Sequence, residues 1–170
     1  MGVLSFLVRF INELNRAVGG IVAMLILVLT GLILLEVIFR YGFSSPTVWG
    51  TELSTLIFAT YILLGGGYTL LKNDHVRMDV IYSRFSDRGK AVLDLLSMPF
   101  ALLYIGILFV EGSSMLIDAY TTQRTLSSDW SPLLWPWLLA LPVGVGLLAL
   151  QIISNAISNA VMAFTGRGLE

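Results

Sequence analysis

Cysteine is absent from the 170 residues, which rules out a disulfide framework, a thiolate metal site and a thiol nucleophile. Histidine occurs once, at His75. One imidazole excludes bis-histidine haem ligation and the two-histidine zinc motif within a single chain. Charge is also scarce: Asp, Glu, Lys and Arg make up 12% of the residues and hydrophobic types 56%, where a soluble domain carries roughly 25% charged residues. Several long apolar runs at a mean hydropathy of +0.86 define a polytopic membrane protein. No basic cluster points to nucleic acid. No nucleotide-binding glycine loop follows a strand, and no serine has an evident base. The residues therefore offer no enzyme and no cofactor site.

What is present reads as helix. In residues 3–16, VLSFLVRFINELNR, the side chains of Ser5, Arg9, Asn12, Glu13 and Arg16 fall within an arc of roughly 100° at helical pitch. That pattern suits an amphipathic helix lying among lipid headgroups. A signal-peptide n-region is the competing reading, but the next apolar run is too long and lacks an A-x-A-type cleavage site. Residues 17–39 form a first span of roughly 34 Å, with Gly20, Leu27 and Gly31 on one side. Residues 46–71 form a second, with Thr55, Ala59 and Gly66 on a narrow face. A third, 87–117, is capped by Ser86 and contains Pro99, a kink former. A fourth covers 132–153, where Pro136 and Pro142 are tolerated if neighbouring helices satisfy the freed carbonyls. The fold class is thus all-α: four transmembrane helices in one membrane domain, with an interfacial helix at the N-terminus.

Basic residues set the orientation. With the N-terminus inside, the inner side holds Arg9, Arg16, Lys72, Arg77, Arg84, Arg88, Lys90 and Arg167, and the outer side only Arg40 and Arg124. The positive-inside rule then places both termini in the cytoplasm. Trp49, Trp130, Trp135 and Trp137 fall into a single outer aromatic belt.

The stretch EVIFRYGFSSPTVWGTELSTLIF, residues 36–58, joins the first two spans and holds Glu36, Arg40 and Glu52 near the end of a hydrophobic layer, where charges are costly and usually paired. Glu36 and Arg40 are spaced i, i+4 in the favourable order. Ser45 reads as an N-cap with Pro46 in the first turn, and Glu52 near the positive end of the new helix dipole. In an antiparallel pair Arg40 bridges both acids. The plain alternative is a helix-end salt bridge with an interfacial aromatic anchor. Glu111 is the deepest acid, in the outer third of the third span, where Ser113, Ser114 and the interface offer solvation. His75 with Asp74 and Asp79 reads as a solvated turn or ion-pair cluster in preference to a metal site, or as a lock between His75 and Asp79 at the inner end of the bundle.

Arg40-Tyr41, Phe43, Pro46, Trp49, Glu52 and Phe58 resemble the hairpin signature of the small membrane subunit of tripartite ATP-independent periplasmic (TRAP) transporters. Gly65-Gly66 followed by His75-Val76-Arg77-Met78-Asp79-Val80 is similar to that family's inner-loop signature. Gln123, Pro132, Trp137, Pro142 and Gly144 fall where its outer loop and last span carry comparable residues. The resemblance covers about residues 17–153 and implies a multi-pass protein of the bacterial inner membrane. It implies a one-to-one partnership with a large multi-span subunit holding substrate and sodium sites, and a periplasmic binding protein delivering an organic acid such as a C4-dicarboxylate or sialic acid. The small subunit would brace the static scaffold during an elevator-like motion and offer part of the docking surface. Glu36, Arg40, Tyr41, Pro46, Trp49, Glu52, His75 and Asp79 would be its assembly residues. The alternative is a small self-assembling carrier or channel using Glu36, Glu52 or Glu111. A redox-enzyme anchor is disfavoured by the single histidine.

The cysteine-free chain allows a direct test of orientation. Single cysteines at Ser44 or Ser128 are expected to react with an impermeant thiol reagent from the periplasmic side, and cysteines at Asn73 or Ser86 are not. Labelling of the Asn73 site from outside would reverse the topology.

Overall fold

The computed structural model describes residues 2–72 and 85–165; His75 and Asp79, with the inner loop around them, lie outside the described residues. Helix α1, Gly2–Val37, runs without a break into a wider π-helical turn, Ile38–Gly42. Helices α2, Val48–Leu71, and α3, Asp87–Thr121, follow. A short α4, Trp135–Leu138, leads into α5, Ala140–Thr165. Four helices are long and apolar enough to cross a membrane, so the chain is an all-helical membrane protein. Among the described residues extended pairing is limited to one antiparallel bridge, Thr125 with Leu133.

Residues 3–16 and 17–39 join into one helix, because nothing between Arg16 and Ala17 breaks it: the nearest glycines, Gly19 and Gly20, stay helical. At 36 residues, α1 is about 54 Å long, well beyond the roughly 30 Å hydrocarbon core. The start of α2 also differs from the expected Ser45 cap. Thr47 is the N-cap, its side chain accepting the Gly50 N–H, and Pro46 precedes the helix. The π-helical turn carries the chain further round before α2 can begin, closed by Ser45 N–H donating to Phe39 O at 3.0 Å and by Ser44 at φ 51°. Ser86 caps α3 by accepting from Gly89 N–H at 3.3 Å. Pro142 sits in the first turn of α5, where a missing N–H has no helical partner to lose.

Helix α5 is the hub, packing against α1, α2 and α3, while α1 and α2 form an antiparallel pair beside it. Apolarity does not hold such helices together in lipid; close packing and interhelical hydrogen bonds do. Close packing is visible at the α2–α5 crossing. A Cβ at Gly144 would lie 3.2 Å from Leu64 N, and one at Gly67 3.2 Å from Leu147 O. Backbone meets backbone there, and only glycine fits.

Hydrogen bonding supplies the other half. The largest fully buried side chains are Gln151, Asn15 and Ser154, all polar. Asn15 Nδ2 donates to Gln151 Oε1 at 2.9 Å. Gln151 Nε2 donates to Asn12 Oδ1 and Asn155 Oδ1, each at 3.0 Å, and Ser154 Oγ donates to Asn12 Oδ1 at 3.1 Å. Asn12 and Asn15 thus face α5, while Arg16 and Glu13 pair on the exposed side at 2.7 Å. The N-terminal half of α1 is locked laterally to the bundle.

Replacing Gln151 with Leu should therefore lower the thermal midpoint of the chain in lipid nanodiscs. The loss should correspond to about 1–2 kcal/mol, because interhelical bonds in membranes contribute about 0.6–2 kcal/mol each and the Asn12 and Asn15 amides are left partly unpaired. An unchanged or raised midpoint would show that the lock contributes nothing.

Candidate functional site

The end of the bundle where α1 turns into α2 holds Glu36, Arg40 and Glu52. Glu36 is buried, at 8% exposure, and its carboxylate is saturated. Oε1 accepts Arg40 Nη2 at 2.7 Å and Nε at 3.2 Å. Oε2 accepts the Thr47 N–H at 3.2 Å and the Thr47 hydroxyl. Thr47 Oγ1 in turn accepts Gly50 N–H at 3.1 Å. One carboxylate therefore joins the last turn of α1 to the cap of α2. Gly50 makes room for it: a Cβ there would sit 2.7 Å from Glu36 Oε2.

Arg40 does not bridge to Glu52. Among the described residues its guanidinium bonds to Glu36 alone. Glu52 Oε2 instead accepts Ser128 Oγ at 2.8 Å, which ties the loop between α3 and α4 down onto α2. The cause is the shifted cap. With α2 beginning after Thr47, Thr47 and Gly50 occupy the space beside Glu36, and Glu52 turns toward the other loop. That loop is a tight hairpin: Leu126 N–H donates to Pro132 O at 3.0 Å and Leu134 N–H to Arg124 O at 2.9 Å, with Gln123 and Ser131 at positive φ. Tyr120 meets Trp135 edge-on at 5.5 Å.

Of the remaining sequence-derived residues, Tyr41, Pro46 and Trp49 are exposed around this clamp, suited to the membrane–water interface. Spacing gave no pointer to Thr47, Gly50 or Ser128. A shallow groove of about 530 Å³ opens between α1 and α2, lined by Leu29, Ile33, Glu36, Arg40, Thr51 and Phe58 among others. No group of three or more His, Cys, Asp or Glu residues placed to hold a metal ion occurs among the described residues. With four donors on it, the Glu36 carboxylate is built to hold geometry and leaves no free oxygen for proton relay.

The fold and clamp define a polytopic helical membrane protein in which a buried carboxylate joins two of its long helices. Residues 29–161 match the family of tripartite ATP-independent periplasmic transporters, DctQ component. The chain belongs to this family, and it is a small permease subunit. It is 26% identical over 113 residues to the C4-dicarboxylate TRAP transporter small permease protein DctQ of Rhodobacter capsulatus, covering 66% of this chain and 49% of that protein. It is 26% identical over 118 residues to the sialic acid TRAP transporter permease protein SiaT of Haemophilus influenzae, covering 65% of this chain and 18% of that one. The chain thus spans about half the length of the first relative and under a fifth of the second. No solved structure matches.

Gly50→Ala tests the clamp with a diagnostic sign. Alanine is the better helix former by about 1 kcal/mol, yet its methyl group would displace Glu36 and Thr47, an overpacking cost of about 1–3 kcal/mol. Net destabilisation by thermal unfolding in nanodiscs is expected. A double-mutant cycle should show coupling of Arg40 to Glu36 and near-additivity of Arg40 with Glu52; the reverse pattern would reinstate the bridge read from spacing.

Proposed function

We propose that this chain is the accessory scaffold subunit of a sodium-driven, binding-protein-dependent importer of organic acids in a bacterial inner membrane. It would brace a large transport subunit in a one-to-one complex and contribute to docking of a periplasmic binding protein. Both termini would be cytoplasmic, as the distribution of Lys and Arg implies. Names of relatives support the substrate class: one is described as a C4-dicarboxylate permease protein, the other as a sialic acid one. The hairpin residues Glu36, Arg40, Tyr41, Pro46, Trp49 and Glu52 would serve assembly, as would His75 and Asp79 in the inner loop.

One structural observation supports the scaffold reading: two of the three acids that a carrier could use are committed to the fold. Glu36 is saturated by Arg40 and Thr47, and Glu52 holds Ser128. No broken helix at mid-membrane occurs among the described residues, although such helices are where transporters bind substrate. Small-residue positions remain open for a neighbour instead. A Cβ at Gly20 or Gly31 meets nothing within 4 Å, so the first span offers close approach to a helix from another subunit. The self-assembling carrier keeps only Glu111 as a candidate.

The chain alone in liposomes with an inward sodium gradient should show no saturable uptake of C4-dicarboxylates or sialic acid. Co-expression with the large subunit should yield an equimolar complex, with uptake when loaded binding protein and an inward sodium gradient are added. Saturable uptake by this chain alone would overturn the scaffold role.

A further inference from the structure

Glu111 is a charged side chain within a membrane span that the fold leaves unserved. It is exposed on α3, and it makes no hydrogen bond or ion pair among the described residues. Ser114, at i+3 on the same face, makes no side-chain hydrogen bond to it, and Ser113, on another face, donates its Oγ to Phe109 O at 2.6 Å. Its depth is set by two markers. The Tyr120–Trp135 pair marks the aromatic level at one interface, and Glu111 lies about 13 Å further along the helix. The uncharged stretch Leu95–Val110 is only about 24 Å long, less than the hydrocarbon thickness of roughly 30 Å. A carboxylate facing lipid at that depth is costly and calls for a partner.

It does not stand alone. Phe100, Tyr104, Ile107, Glu111, Ser114 and Asp118 follow a strict three–four spacing and lie within about 80° of one another at helical pitch. That is the spacing of a knobs-into-holes seam between helices. Phe100, Tyr104 and Ile107 are 78%, 64% and 54% exposed. The bundle takes the roughly opposite face of α3, where Ala91, Ile105 and Ala119 are buried and a Cβ at Gly112 would lie 2.8 Å from Leu141. A lipid-facing surface has no use for Tyr, Glu, Ser and Asp in one register.

We propose that this face of α3 is a docking seam for a membrane-spanning helix of the large partner subunit, which presents a cationic or hydrogen-bond-donating side chain to Glu111. The proposal rests on the reading of this chain as one half of a membrane complex. Charge decides between occupants. From Ala91 to Thr121 the helix has no Lys or Arg, so a second copy docked symmetrically through this face would set carboxylate against carboxylate, which disfavours association. A different chain carrying the complementary charge has no such penalty.

The test uses the co-expressed pair in native membranes, with a photo-crosslinking amino acid at Ile107. Adducts with the large subunit are expected. Glu111→Leu provides a second, independent readout with opposite signs. It should leave the midpoint of the isolated chain unchanged or raised, because a lipid-facing charge is removed. It should also weaken the complex by at least about tenfold, as expected when one member of a desolvated pair is lost, with Glu111→Gln in between. An intact complex whose Ile107 probe captures only lipid, or a second copy of this chain, would overturn the seam and leave the scaffold reading standing. So would a complex indifferent to Glu111→Leu. Failure of the unsubstituted chain to form any complex would overturn both.

Discussion

The carboxylate of Glu36 is the constraint on which the hairpin end depends. A helix leaving the hydrocarbon layer ends in unsatisfied carbonyls, and the next helix begins with unsatisfied N–H groups. Here the two ends are joined through one side chain. Arg40 neutralises it from the π-helical turn, and Thr47 passes it on to the start of α2 by donating its hydroxyl and accepting Gly50 N–H. The π-helical turn of Ile38–Gly42 fits this arrangement, since widening the helix rotates the chain before it leaves α1. With α2 fixed at its first turn, Glu52 is aimed at Ser128, and the second loop on the same end of the bundle is held by the first.

The opposite half of the bundle is held by a different chemistry. No ion pair links α1 to α5 there among the described residues; neutral amides do the work. Asn and Gln carry donor and acceptor together, so Gln151 can receive from Asn15 and donate to Asn12 and Asn155 at once. Neutral groups avoid the desolvation penalty of a buried charge and still fix rotation and register between helices. Further toward the same end, Asn159 Nδ2 donates to Asp94 at 3.0 Å and brings α3 to α5. Asn15 Oδ1 is the exception, buried without a hydrogen-bond partner. It lies against Gly67, whose missing side chain leaves just enough room for it.

How much of this was legible varied with the range of the interaction. The spans could be read from apolar run length, and the Glu36–Arg40 pair from its i, i+4 spacing, because both are local. The cap was misread because Ser45-Pro46 is the stronger local signal, while Thr47 is chosen by a carboxylate eleven residues back. The Glu52–Ser128 bond crosses 76 residues and leaves no periodicity to detect. Of the inner amides only Asn12 has an expected environment, among headgroups, and its Oδ1 instead accepts from Gln151 and Ser154. Asn12 shares its helical arc with Arg9, Glu13 and Arg16, and periodicity alone cannot tell a polar face turned to headgroups from one turned to another polar helix. The matching signal lay in α5, where Gln151, Ser154 and Asn155 interrupt an apolar run at helical spacing.

A membrane bundle assigns its polar groups by elimination, since each one needs a partner inside the hydrocarbon layer. Glu36, Asn12, Gln151 and Asp94 all find theirs within the chain. Glycine divides in the same way: Gly67, Gly112 and Gly144 are filled by neighbouring helices of the bundle, whereas Gly20, Gly31 and Gly106 meet nothing. What remains after this accounting is not random surface. The open glycines of α1 and the polar register of α3 lie on helices that flank the α2–α5 core from different sides. A single straight helix cannot cover both, so the partner proposed above would need several helices to cover both surfaces. That expectation is argued from unfilled packing and an unpaired carboxylate, separately from the match to the tripartite transporter family.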